Sequence, residues 1–281
     1  MRLIACGDSW CWGAELVDPD KPPYWSKGKD NHSLHYIPHH AEYRMKNRYI
    51  QLFANKINAT DVIDLSLCSY SNDAIVRTLT DWLINEDYVN GKDTADLFIS
   101  IGWTSPERKE VYFKERWGSE NWVQIGPLWT EFAGLGGRTE ELETFGKIYI
   151  NNFWNAGEYM HRWIHQVWQT EMLLKKLNIK YVMHQAFYHH HQKSIRDWDD
   201  KIYQQHHADY INTSDKKIWA TIDPIRFMHK DDLEKGTAHN YMLNKAHGDR
   251  SAVFYEMHPN MNGHKIWANH LYEYCIENKL L

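Results

Sequence analysis

A short apolar run, Leu3-Ile4-Ala5-Cys6, stops at Gly7-Asp8-Ser9-Trp10 near the start of the chain. Four apolar residues bounded by a turn signal read as a buried strand. Three more segments have the same character. They are Asp61–Leu67, with Val62, Ile63, Leu65 and Leu67 apolar, then Leu97–Gly102 and Lys180–Met183. Between them lie stretches with helical spacing. Residues 42–58 place Tyr49, Ile50, Phe53, Ala54 and Ile57 on one face. Ser71-Asn72-Asp73 can cap a helix running through Ile75, Leu79 and Leu83. A long helix is expected over 147–177, and a closing one over Asn262–Lys279. Strands alternating with helices imply a parallel sheet covered on both faces. The expected architecture is α/β, a three-layer α/β/α sandwich with about five strands. Residues 1–281 read as a single domain with insertions near 14–40, 103–145 and 184–250. The last of these has shorter helical pieces near 196–206 and 230–245.

Composition excludes several functions. With a formal net charge of -5 over 281 residues and no basic stripe, a nucleic-acid partner is not expected. No apolar run approaches the roughly 18 residues that span a bilayer. The N-terminus carries no apolar signal region, which points to a cytoplasmic location. Cys6, Cys11, Cys68 and Cys275 lack metal-like spacing and read as free thiols of a reduced compartment. The run His189-His190-His191 and nearby His184 do not make a metal site, because three consecutive residues of a regular element point in different directions. No cofactor is expected. The chain has 14 Trp, most of them expected in the core, but Trp10, Trp12 and Trp103 fall beside the proposed site and are expected to line it for substrate.

An open α/β sheet binds ligands beyond the C-terminal ends of its strands. Ser9 is delivered to that edge by the first strand. His258-Pro259-Asn260 precedes the closing helix and can return to the same edge. A serine hydroxyl needs a base within hydrogen-bond reach and a donor for the oxyanion that forms. Ser9 and His258 are the candidate nucleophile and base.

These blocks resemble the SGNH hydrolases, also called the GDSL esterase family. Gly7-Asp8-Ser9 is similar to their first block and His258-Pro259-Asn260 to their last. The continuation Gly263-His264-Lys265-Ile266-Trp267-Ala268 resembles the closing helix of phage-encoded members, for which a virion-associated location follows. The resemblance implies a flavodoxin-like fold and hydrolysis of an acyl ester, such as an O-acetyl group on a carbohydrate, through an acyl-serine. The middle blocks depart from the pattern. Ser69 stands where a glycine offers its backbone N–H to the oxyanion, and Thr104 stands where an Asn side chain donates. Asn72 is a substitute amide. The implied oxyanion hole is therefore Ser9, Ser69, Thr104 and Asn72. The family's acid, three residues before the His, is replaced by Tyr255. Glu256, two residues before, is the candidate in its place, with a Ser–His dyad as the alternative. Asp8 is expected to accept local N–H bonds in its turn.

Two rival readings use the same residues. One is a catalytically degenerate descendant that binds a glycan or builds a virus particle, which the altered middle blocks favour. The other is acyl transfer to a second alcohol. The partner expected for the hydrolase is a small-molecule or glycan ester, and the oligomeric state is not legible.

Overall fold

The computed structural model describes residues 1–20, 38–112, 122–125, 140–186, 212–232, 235–255 and 258–281. The described strands are β1 (Arg2–Cys6), β2 (Asp61–Asp64), β3 (Leu97–Trp103), β4 (Lys109–Tyr112), β5 (Trp122–Ile125) and β6 (Lys180–Gln185). The described helices are α1 (Ser9–Trp12), α2 (Pro38–Asn47), α3 (Tyr49–Lys56), α4 (Asn72–Asn85), α5 (Glu140–Asn152), α6 (Ala156–Lys176), α7 (Thr213–Thr221), α8 (Ala238–Lys245) and α9 (Met261–Glu277).

The main sheet is parallel, in the order β2-β1-β3-β6. Among the described residues it has four strands, where about five were expected. The place beyond β6 is held by a short stretch at Phe227, which makes one parallel bridge to Met183. There Met183 N–H donates to Arg226 O at 2.7 Å, and Met228 N–H to Met183 O at 2.8 Å. Within the 103–145 insertion, β4 and β5 form a separate antiparallel pair.

Successive strand residues point to opposite faces, and the two cores follow this alternation. Leu3, Ala5, Phe98 and Val182 pack on one face against α3, α8 and α9, through Ile50, Met242 and Leu271. Ile4, Cys6, Ile99 and Met183 pack on the other against α4, α6 and α7, through Leu79, Ile164 and Trp219. Both faces of the sheet are thus buried by helices, which makes three layers.

Two helices expected as continuous are broken. The 42–58 stretch divides at Arg48, an extended residue that pairs with Asp64 while starting α3. The 147–177 stretch divides before Asn155, whose side chain accepts from Glu158 N–H at 2.9 Å and so starts α6. The helix expected over 230–245 is confined to α8. The piece expected at 196–206 lies outside the described residues, as do most of the 14–40 insertion and residues 187–211 and 233–234 of the 184–250 one.

β1 lies between β2 and β3, so the chain leaves it first to one side and then to the other. That arrangement makes the C-terminal end of β1 a topological switch point, the usual ligand crevice of such sheets. Ser9 begins immediately beyond it.

Candidate active site

Gly7 lets the chain turn sharply from β1 into α1. A Cβ at Gly7 would lie 2.6 Å from Cys11 Cβ, closer than two carbons pack. Asp8 then caps α1, its Oδ1 accepting from Trp10 N–H at 3.0 Å. Ser9 becomes the first residue of the short helix, and its hydroxyl faces the loop that precedes α9.

That loop is held tightly. Tyr255 N–H donates to His258 O at 2.9 Å, and Asn260 N–H to Val253 O at 2.9 Å. Asn260 caps α9 by accepting from the N–H groups of Asn262 and Gly263. Gly263 allows the helix start to press against this loop, since a Cβ there would meet Val253 O at 2.3 Å. The loop presents His258 to the serine, with Nε2 2.9 Å from Ser9 Oγ.

The other ring nitrogen meets an acid that the sequence reading did not name. His258 Nδ1 lies 3.0 Å from Glu15 Oε1, and His258 N–H donates to Glu15 Oε2 at 3.3 Å. One carboxylate thus lies at ion-pair distance from the ring, without an aligned hydrogen bond to Nδ1, and accepts from the backbone of the same histidine. Glu15 adopts φ +66°, in the left-handed region that non-glycine residues seldom occupy. Such strain costs on the order of 1–3 kcal/mol and collects at functional sites. Glu256, the acid expected beside the histidine, lies outside the described residues.

The expected oxyanion donors divide. Among the described residues, neither Ser9 N–H nor Ser69 N–H donates to a protein acceptor. Ser69 has φ +71°, the backbone state that favours glycine, which is the residue expected at its place. Thr104 requires a correction. Its Oγ1 donates to Asp8 Oδ2 at 2.6 Å and accepts from Arg108 at 3.0 Å. A hydroxyl has one proton, so this one is committed and cannot serve an oxyanion. Asn72 exchanges two bonds with the Thr104 backbone: Oδ1 accepts Thr104 N–H at 2.9 Å, and Nδ2 donates to Thr104 O at 3.1 Å. Its amide keeps one hydrogen for a further acceptor.

The tryptophans expected to face substrate also need correction. Trp10 and Trp103 are buried in the two cores. Trp10 packs against Phe254 with ring centroids 5.5 Å apart. Trp12 packs with Ala14 and Cys68, and its ring carries the Arg44 guanidinium 3.6 Å above its centroid. Large rings gain more from burial than from an open face. Of the four cysteines, all are buried and free. His189, His190 and His191 lie outside the described residues.

Two further histidines support the frame beneath the site. His184 and His264 are fully buried, and burial pushes each down to about 3. The neighbouring Arg48 guanidinium and the His258 ring add to the effect at His264. Neutrality fits its bonding, because His264 Nδ1 accepts from Tyr49 N–H at 3.1 Å. The unfolded chain takes up these protons near pH 6.5, but the folded chain does so only near pH 3. Folding therefore loses stability as pH falls between those values, by about 1.4 kcal/mol per unit for each ring. Thermal unfolding is expected to show a loss of about 4 kcal/mol from these two residues between pH 7 and pH 5. A melting temperature that stays flat over that range contradicts the assignment.

Residues 31–281 match the model of a family described as a family of unknown function, DUF6071. The match begins after Ser9 and Glu15 and includes His258. No curated protein matches the chain. Among solved structures, the chain is similar to the lipase Lip_vut3 from goat rumen metagenome, at 11% identity and a TM-score of 0.45, covering 98% of this chain and 97% of that one. It is similar to a putative GDSL-like lipase from Parabacteroides merdae ATCC 43184, at 12% identity and a TM-score of 0.43, covering 100% and 96%. It is also similar to the psychrotrophic esterase EstA from Pseudoalteromonas sp., at 9% identity and a TM-score of 0.43, covering 98% and 97%. At such scores the overlap is loose, and the site geometry carries the functional argument.

Proposed function

We propose that this chain, which belongs to the family of unknown function DUF6071, is a serine ester hydrolase of the SGNH type. The observation that carries the reading is the relay Glu15–His258–Ser9, with contacts of 3.0 and 2.9 Å at the switch point of the sheet. A serine, an imidazole and a carboxylate in this order are recognised by geometry and role rather than by chain position.

The mechanism follows from the contacts. Ser9 Oγ attacks the acyl carbonyl while His258 Nε2 takes its proton. The Glu15 carboxylate, 3.0 Å from Nδ1, stabilises the imidazolium that forms. Ser9 and Ser69 offer backbone N–H groups to the oxyanion, with the remaining amide hydrogen of Asn72 as a third donor. The tetrahedral intermediate collapses, the C–O bond breaks, and His258 returns the proton to the leaving alcohol. Water, deprotonated by the same nitrogen, then cleaves the acyl-serine and releases the acid. None of these steps uses a cofactor.

The substrate reading is a short acyl ester. Burial of Trp10 and Trp103 removes the observation that favoured a sugar alcohol. No helix among the described residues is long and apolar enough to cross a membrane. The test is turnover of p-nitrophenyl acetate and butyrate, with acetate release from acetylated glycans measured in parallel. Turnover of at least one ester above the Ser9→Ala background is expected. A folded protein that leaves the whole panel untouched would point instead to a non-catalytic binder.

A further inference from the structure

α6 and α7 bring together a second group of side chains. His161 and His165 are one turn apart on α6, a spacing that puts both on one face. Their ring centroids are 4.2 Å apart. Asp215, in the first turn of α7, faces them and is fully buried. His161 Nδ1 lies 2.7 Å from Asp215 Oδ1, and His165 Nε2 lies 3.7 Å from the same oxygen. One donor atom from each residue falls within 4.8 Å of the other two.

Two buried atoms of this group, Asp215 Oδ2 and His165 Nε2, make no hydrogen bond among the described residues. A buried carboxylate oxygen without a donor is costly. A cation between the three side chains removes that cost. Ligands about 2.0–2.2 Å from a tetrahedral zinc stand roughly 3.4 Å from one another, and the two separations bracket that value. Half of the His161 side chain is exposed, at 51%, so solvent can reach a fourth position.

We propose that His161, His165 and Asp215 bind one divalent transition-metal ion of the zinc class. Two imidazoles with one carboxylate suit zinc better than magnesium or calcium, which prefer oxygen ligands. The bound ion would fasten α7 to α6, where Trp219 already packs on Trp163 with ring centroids 5.3 Å apart. The proposal is independent of the esterase reading.

The experiment is a Zn²⁺ titration of the whole, EDTA-treated protein by calorimetry, with thermal unfolding in parallel. His161→Gln and His165→Gln are the variants, because both side chains are partly exposed and neither should prevent folding. His247→Gln is the control, since the chain has 18 histidines. One ion per chain is expected, with a rise in Tm. Each ligand variant should weaken binding at least about tenfold and lose the rise, and the control should keep both. Absence of binding to the wild type would leave only the side-chain contact between His161 and Asp215 and overturn the proposal. Equal binding by wild type and both ligand variants would also overturn it, because the ion then sits on other histidines.

Discussion

Replacing Ser9 with alanine removes ester hydrolysis, with kcat expected to fall at least about 10³-fold. The change deletes one oxygen atom, and Ser9 is almost fully buried at the start of α1. Asp8 still caps the helix and Gly7 still makes the turn, so stability should move by no more than about 1 kcal/mol. His258→Ala should cost a comparable factor, because His258 is the base hydrogen-bonded to Ser9 Oγ among the described residues. The double variant should be no slower than the worse single one, since groups that act as a unit do not lose rate additively. Steady-state rates on one p-nitrophenyl ester for the three variants check this. Multiplicative losses would mean that the two residues act separately.

Loss of the Glu15 carboxylate should have the second largest effect. Glu15→Gln keeps the length of the side chain and removes its charge. The imidazole then loses the anion beside Nδ1 that stabilises its charged form. We expect kcat to fall about 10²–10⁴-fold while KM changes by less than about threefold, because Glu15 touches His258 and not the substrate. Glu15 is thus a positioning residue. Glu256→Gln should leave kcat within about threefold of wild type, because the acid role is assigned to Glu15. The paired measurement decides which acid serves the histidine, and a large loss confined to the Glu256 variant would contradict the assignment to Glu15.

The layers were legible because strand and helix periods are local. Leu3 and Ile4 already announce opposite faces of β1, and Ser71-Asn72-Asp73 announces the start of α4. Ser9 and His258 could be paired from chain order and turn position, since the ends of β1 and the start of the last helix meet at one edge. Glu15 could not. It reaches His258 across 243 residues, and an acid in an irregular excursion has no spacing rule to single it out. The break before α6 was open to detection, because Asn155 with Glu158 three residues later is a helix-start pattern. The break at Arg48 was not, since it depends on a partner on β2, Asp64, distant in sequence. The Thr104 expectation failed on competition: from sequence its hydroxyl looked free, but it donates its hydrogen bond to Asp8. The tryptophan expectation failed because adjacency to a turn says nothing about which way a ring points.

The most direct test of the central claim is labelling of the folded protein with a fluorophosphonate probe, followed by peptide mapping. Activation of Ser9 by His258 and Glu15 is expected to give a single phosphonylated residue, Ser9, with labelling absent from Ser9→Ala and much slower in His258→Ala and Glu15→Gln. A folded wild-type protein that stays unlabelled, or that is labelled elsewhere with Ser9 intact, would contradict the account.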